Sequence, residues 1–529
     1  MGTNRIVDRQ QLRTMKKFFV LVAFAAAAGF ALLPAKRRRM HKIYLLMPEI
    51  DGRTVIFRWQ IEPMTTLYRR CSFRLTFPAA VDLSRVPARL WCDILLICLH
   101  THWLLLRPCE VHLPLILSEP EKRFWLQLLQ NAADTLESLW RRPRPVGPLG
   151  IQLIDGARHV PYEKIDGVGY GTAFSSGKDS LLQAALLFEL TERPLLVTTT
   201  SPLPPLRDHE TARRREVFAA IQERRNPVFV EVVSDLRSSY DTEFSRKKRY
   251  TIYVSELSDP YLFMANLLAA GAALGRTRLF LASEAEVQEN AEIAGRIVQH
   301  PDFSYSAATQ RALARYLEPY GFRFGALTWP LYSTQVQRLL WARYPDLCDL
   351  QYSCWRVQPG QKTCSRCEQC LRIAMTALVD GHNPERMGID LDSIIAYAPE
   401  WARLPTPHRI LLAGHRRKQV GAMIKRISVF RLAAIIARHQ WSRLLTKTTW
   451  RMLVRYQRLR RDFTALPDVP ELGVREAFFD WLDPDLRDQL TAIYLLHFHC
   501  EPRSEHLGVF ERSRILAERA RSKLDASPA

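Results

Sequence analysis

Between residues 165 and 282 the apolar positions alternate between two textures. Short runs over 168–174, 194–200, 227–233 and 278–282, rich in β-branched and aromatic residues or glycine, read as buried strands. Between them, 181–187, 212–223 and 261–275 are built from good helix formers. Strands alternating with helices predict an α/β fold with a parallel sheet covered by helices on both faces, whose ligands bind at the carboxyl ends of the strands. The preceding chain reads differently. Residues 54–59 and 71–77 alternate like strands, 91–106 is an apolar helix-like run, 111–117 is strand-like and 119–140 helical. These predict a small α+β domain over 40–148, closed by the Pro-rich linker 141–148, then a nucleotide-type domain over 149–380 and a helical module over 381–529.

Candidate chemistry lies at two places in the central domain. Phe174-Ser175-Ser176-Gly177-Lys178-Asp179-Ser180-Leu181 joins a predicted strand to a predicted helix. Such a junction aims backbone N–H groups and the positive end of the helix dipole at one point, where small residues let phosphate oxygens approach. Ser175, Ser176 and Ser180 add hydroxyls, Lys178 a mobile charge, and Asp179 a ligand for Mg²⁺ or a helix cap. The spacing is not that of a Walker loop. On its own the stretch fits an ordinary capped helix start equally well. The second place is Cys364-x-x-Cys367-x-x-Cys370 with Cys354 ten residues upstream, a spacing that suits a closed tetrathiolate Zn²⁺ site. Iron–sulfur ligation and a cluster of small core residues are the competing readings. The other six cysteines are scattered, which points to a reducing compartment rather than a disulfide framework.

Ser175-Ser176-Gly177-Lys178-Asp179-Ser180 resembles the S-G-G-x-D-S loop of the PP-loop ATP pyrophosphatases, in the adenine nucleotide alpha hydrolase-like (HUP) superfamily. Ser353-Cys354-Trp355 with Cys364, Cys367, Cys370, Leu371 and Arg372 is similar to the zinc-bearing end of 7-cyano-7-deazaguanine synthases, and Trp329-Pro330-Leu331 to their P-L segment. The resemblance covers about residues 165–378. It implies a fold of that superfamily and a reaction in which ATP and Mg²⁺ activate a carboxylate as its adenylate, releasing pyrophosphate, before ammonia displaces AMP. It further implies catalytic roles for Lys178, Asp179 and Ser180, nucleotide binding by residues 174–181, and structural Zn²⁺ on Cys354, Cys364, Cys367 and Cys370. The partners expected are a small-molecule or macromolecular acceptor, an ammonia donor and, for assembly, a second copy of the chain. Three departures stand out. Ser176 replaces the loop's first glycine, Ser333-Thr334-Gln335 stands where a lysine follows P-L, and the acidic substrate segment is not legible. In its place stand Glu284 and Asp302, either of which could recognise the substrate but which read first as plain surface acids. A tRNA-modifying enzyme of the same superfamily and a catalytically degenerate nucleotide-binding scaffold are the alternatives.

Charge adds one more feature. The chain of 529 residues carries a formal charge of +21, and residues 401–461 hold sixteen Lys or Arg and no Asp or Glu. With helical spacing and Trp441, Trp450 and Tyr456 among them, these residues predict a module facing nucleic acid, an anionic membrane or acidic protein, or solvent alone. The apolar run 18–35, flanked by Lys16, Lys17 and Lys36, Arg37, Arg38, Arg39, reads as a membrane anchor. It reads equally as part of an over-called extension ahead of Met40. The basic flank keeps the following chain cytoplasmic.

Overall fold

A computed structural model describes residues 40–139, 149–202, 208–288, 291–293, 296–298, 303–354, 357, 361–380, 382–393 and 473–501. The run 18–35, the linker 141–148 and the basic stretch 401–461 lie outside the described residues. No helix among the described residues is long and apolar enough to cross a membrane.

The strands are β1 (His41–Leu45), β2 (Glu49–Asp51), β3 (Thr54–Glu62), β4 (Ser72–Thr76), β5 (Cys109–His112), β6 (Ile151–Ile154), β7 (Gly169–Ala173), β8 (Leu195–Thr200), β9 (Val228–Ser234), β10 (Arg276–Phe280), β11 (Ala291–Ile293), β12 (Arg296–Val298), β13 (Arg323–Gly325), β14 (Val474–Arg475) and β15 (Cys500–Glu501). The longer helices are α1 (Ala88–Trp103), α2 (Glu119–Ser138), α3 (Lys178–Leu190), α4 (Asp208–Arg224), α5 (Val254–Ala273), α6 (Ala307–Leu317), α7 (Ser333–Arg343), α8 (Glu368–Val379) and α9 (Arg487–His497). Eleven strands form one sheet in the order β13-β10-β7-β8-β9-β4-β3-β1-β5-β6, with β2 on β3.

From β13 to β9 all neighbours are parallel, as the alternating pattern predicts. Numbered within this half, the strands run 3-2-1-4-5 from β9 to β13, so the winding direction reverses between β7 and β10. Chains leaving two such strands diverge to opposite faces and open a crevice at their carboxyl ends. Gly171 lets the central strand lie close to its neighbours: a Cβ there would stand 3.2 Å from Leu195 on one side and Leu279 on the other. The other half is mixed, with β4, β3 and β1 antiparallel and β5 and β6 parallel to β1. The two halves meet where β4 pairs antiparallel with β9 through Leu75 opposite Ser234 and Thr76 opposite Val233. Residues 40–139 therefore extend the sheet of the central domain rather than standing beside it.

One apolar core runs across both halves. Leu90, Ile94, Leu95, Leu129 and Leu136 from the first join Leu195, Val232, Tyr261, Met264, Leu267 and Leu317 from the second, each fully buried. A polar network pins the same boundary. Asp93 on α1 is completely buried, and its carboxylate accepts hydrogen bonds from Tyr316 Oη (2.8 Å) and Tyr320 Oη (2.6 Å). Burial pushes its pKa up to about 6, against the tyrosines and Arg89, which pull it down. Tyr320→Phe removes one of these donors and is expected to lower stability by about 1–3 kcal/mol, the usual cost of stranding a buried acceptor. Urea denaturation measures it, and an unchanged midpoint would show the bond to be dispensable.

Candidate functional site

The crevice at the strand reversal is lined from three sides. The turn after β7 supplies Phe174, Ser175, Gly177, Asp179 and Ser180, the turn after β10 supplies Ala282, Ser283 and Glu284, and Gln369 closes it from the start of α8. The cavity has a volume of about 370 Å³, within the range of small-molecule sites.

The β7 turn is shaped by its own small residues. Ser175 N–H donates to Ser180 Oγ (3.2 Å), the two serine hydroxyls lie 3.2 Å apart, and Gly177 caps α3 with an extended backbone. Ser176 has φ +58°, in the left-handed region, and its side chain is fully buried. A residue with a Cβ is disfavoured in this conformation by about 1–2 kcal/mol relative to glycine. Ser176→Gly is therefore expected to stabilise the chain by about 0.5–1 kcal/mol, net of glycine's larger unfolded-state entropy. A urea midpoint that falls instead would mean that the Ser176 hydroxyl, which donates to Ser175 O at 2.6 Å, holds the turn together. Leu181 does not face the cavity; it is buried in the apolar core beneath α3. Gln183, two residues on, anchors the helix by donating to Thr172 Oγ1 (2.7 Å) and accepting from Leu327 N–H (2.9 Å).

Lys178 is buried, and its ammonium is ion-paired to both Asp179 and Glu284. Burial alone would lower the Lys178 pKa, but the two carboxylates outweigh it and the pKa is raised. Asp179 is pushed up to about 7 by burial and by the negative charge of Glu284. Glu284 is also penalised by burial, yet Lys178 and Arg372 hold it below the ordinary carboxylate range. Glu284 is thus not the surface acid expected from its sequence surroundings: its side chain is 15% exposed and it belongs to the cavity. Its loop is fixed by Ser283 N–H to Thr328 Oγ1 (3.3 Å), Thr328 Oγ1 to Ser283 O (2.6 Å) and Ala285 N–H to Leu331 O (2.8 Å). Asp302 lies outside the described residues.

The four cysteines converge as their spacing predicts. All four Sγ atoms lie within 4.8 Å of one another, with Cys354–Cys367 and Cys364–Cys370 at 3.9 Å and Cys367–Cys370 at 3.4 Å. Four thiolates around one tetrahedral ion with Zn–S near 2.3 Å have edges of about 3.8 Å. Disulfides, with sulfurs about 2.05 Å apart, are not formed. Cys364 N–H and Cys370 N–H point at Cys354 Sγ (3.2 Å) and Cys367 Sγ (3.5 Å), as donors do towards thiolates. The cluster can hold a metal ion such as zinc.

Comparison with protein-family models, with curated proteins and with solved structures finds no match for this chain.

The cysteine cluster and the β7 turn are mechanically joined. Tyr352 N–H donates to Ser176 O (2.6 Å), and Ser353 Oγ accepts from Lys178 N–H (3.0 Å), immediately before Cys354. On the far side, Gln369 lies between Cys367 and Cys370 and reaches the cavity, where its buried Oε1 has no partner among the described residues. Arg372, nearly one turn further along α8, donates to Ser333 Oγ (3.2 Å). Sequence reasoning missed Gln369 and Arg214, which also lines the cavity and donates to Thr199 O (2.7 Å). Gln369 had a legible signal, since it is fixed between two ligands at a helix start. Arg214 had none, being one of three consecutive arginines on α4.

Proposed function

We propose that this crevice binds ATP with Mg²⁺ and activates an acceptor by adenylation, releasing pyrophosphate, with nitrogen transfer to follow, as the resemblance to 7-cyano-7-deazaguanine synthases implies. The acceptor is a carboxylate or a base. The observation that carries this reading is the Lys178 ammonium clasped between Asp179 and Glu284 at the strand reversal. Two converging carboxylates already stabilising one cation match the ligands that Mg²⁺ takes alongside phosphate oxygens. Bound Mg²⁺ would supply charge neutralisation at the phosphates.

The chain's own groups then divide the work. Ser175, Gly177 and Ser180 offer hydroxyl and backbone donors to the β- and γ-phosphates at the positive end of α3. As phosphates enter, Lys178 exchanges its carboxylate partners for phosphate oxygens, and Asp179 and Glu284 become available to the metal. Positioning and charge neutralisation carry such a reaction, with no protein nucleophile required. The cysteine cluster, holding Zn²⁺, would keep Ser353 and Gln369 in register with the turn. Arg372 supplies positive charge beside Ser333, where the family lysine is missing.

The test is release of AMP and pyrophosphate from ATP and Mg²⁺ with 7-carboxy-7-deazaguanine and ammonium, followed by the same assay on tRNA and protein fractions. Acceptor-dependent pyrophosphate supports the reading and names the acceptor class. ATP binding without turnover on any of them would leave the site a nucleotide-binding scaffold. Because Mg²⁺ competes with a proton for Asp179, the Mg²⁺ concentration needed for half-maximal turnover is expected to fall as pH passes about 7 and to be higher at pH 6. A Mg²⁺ requirement flat from pH 6 to 8 would contradict this role for Asp179.

A further inference from the structure

A second charged surface lies outside the crevice and is used by none of the chemistry above. Between β9 and α5 the chain carries Arg246-Lys247-Lys248-Arg249, four consecutive exposed cations at the end of the one-turn helix Phe244–Lys247. The turn is held rigidly from below. Phe244 and Tyr250 on either side are each 5% exposed, Ser245 Oγ donates to Ile252 O, and Tyr250 N–H donates to Ser245 O (3.1 Å). Arg249 closes the turn with φ +73°. The segment Leu67–Arg70 runs alongside, tied by Arg69 N–H to Ser239 O (2.8 Å) and Asp241 N–H to Leu67 O (2.8 Å). Arg69 and Arg70 in this segment are likewise exposed.

Six cations therefore meet four carboxylates: Asp235, paired with Arg70, Asp241, paired with Lys247, Glu243, and Glu256, which accepts from Tyr253 N–H (2.7 Å). Arg69, Lys248 and Arg249 form no ion pair among the described residues. Arg246 lies over the Tyr253 ring (4.6 Å) and Lys248 over Phe244 (5.2 Å), so four of the six cations stand on a fixed turn with no carboxylate paired to them, which suits a ligand carrying phosphates at regular spacing. We propose that this basic turn is a docking surface for the phosphate backbone of a nucleic acid.

Two observations favour a nucleic acid over an anionic membrane. The apolar residues of this turn, Phe244, Tyr250 and Ile252, are all turned into the core, so the turn offers a membrane its charge but no side chain to insert. The turn also stands at the end of the sheet that a bound strand would need to approach. It follows the carboxyl end of β9, and Ser234 and Arg237 line a small recess that shares Thr199, Arg214 and Phe263 with the main cavity.

The test uses the full chain, with a fluorescent RNA hairpin, a DNA duplex of the same sequence and phosphatidylserine vesicles as probes. Lys248→Ala with Arg249→Gly removes two cations that hold no ion pair, and glycine suits the left-handed backbone at 249. Any salt-dependent affinity of residues 401–461 is common to both proteins, so the difference between variant and parent isolates the turn. The double variant is expected to bind the nucleic-acid probes about tenfold or more weakly at about 0.1 M salt. Its slope of log affinity against log salt should be shallower by about 1.4–1.8, the loss of two phosphate contacts. Lys248→Arg keeps the charge and should leave both affinity and slope at the parent's values. Unchanged affinity and slope in a double variant that melts with the parent would overturn the proposal, as would a loss confined to the vesicles. Pyrophosphate release from a small-molecule acceptor is unaffected by this outcome, so a failed docking surface and a failed active site are separable.

Discussion

Chelation of the metal from the four-cysteine cluster, or Cys367→Ser, is expected to lower the melting temperature by more than about 10 °C and to abolish nucleotide binding in the same step. Structural Zn²⁺ contributes on the order of 10–16 kcal/mol in small metal-dependent modules, and without it four thiols are left facing one another in a buried space. The loss spreads because the cluster does not stand apart from the turn it supports. Ser353 and Tyr352 hold Lys178 N–H and Ser176 O, and they adjoin the ligand Cys354. Elemental analysis should find one zinc ion per chain, and calorimetry with and without chelator gives the shift. Retention of both the melting point and ATP binding after complete metal removal would show that the thiols pack as ordinary core residues.

The second large effect concerns the two acids. Asp179→Asn and Glu284→Gln are each expected to reduce pyrophosphate release by about 10²–10³-fold, the usual consequence of removing one preorganised electrostatic group. Stability should move the other way for Asp179. Its folded pKa of about 7 lies above the ordinary carboxylate value, so the folded state binds the proton more tightly than the unfolded chain. The stability this provides is present below the unfolded pKa, near 4, and is lost as pH rises through about 7. Asp179→Asn should therefore melt above the parent at pH 8 and close to it at pH 5. A variant that loses activity but gains no stability at pH 8 would mean that the fold does not penalise the Asp179 charge and that its pKa is not raised.

What could be read from the sequence follows the range of the signal. The strands and helices of the parallel half were legible because each is a short apolar run bounded by breakers, and β7, β8 and β9 fall within a residue or two of expectation. The cysteine cluster was legible because three of its ligands occupy seven residues. Glu284 was not, because it lies 106 residues from Lys178 and only the strand order 3-2-1-4-5 brings the two loops together. The left-handed backbone at Ser176 was equally hidden, since serine at a loop position carries no mark of its φ. The boundary near 148 marked a change of texture, but a pattern of strands does not say which edges will pair. Two residues of β4 against two of β9 suffice to make one sheet of both halves.

That narrow seam has a consequence for how the chain is made. β4 is complete at Thr76, but its partner Val233 leaves the ribosome about 157 residues later. At roughly 5–20 residues per second the nascent chain spends about 8–30 s with one sheet edge open. An open strand edge is a template for the wrong partner, including the same segment of a neighbouring chain. Slower translation over residues 77–233 should lengthen that exposure, and a nascent-chain chaperone would find its binding site there.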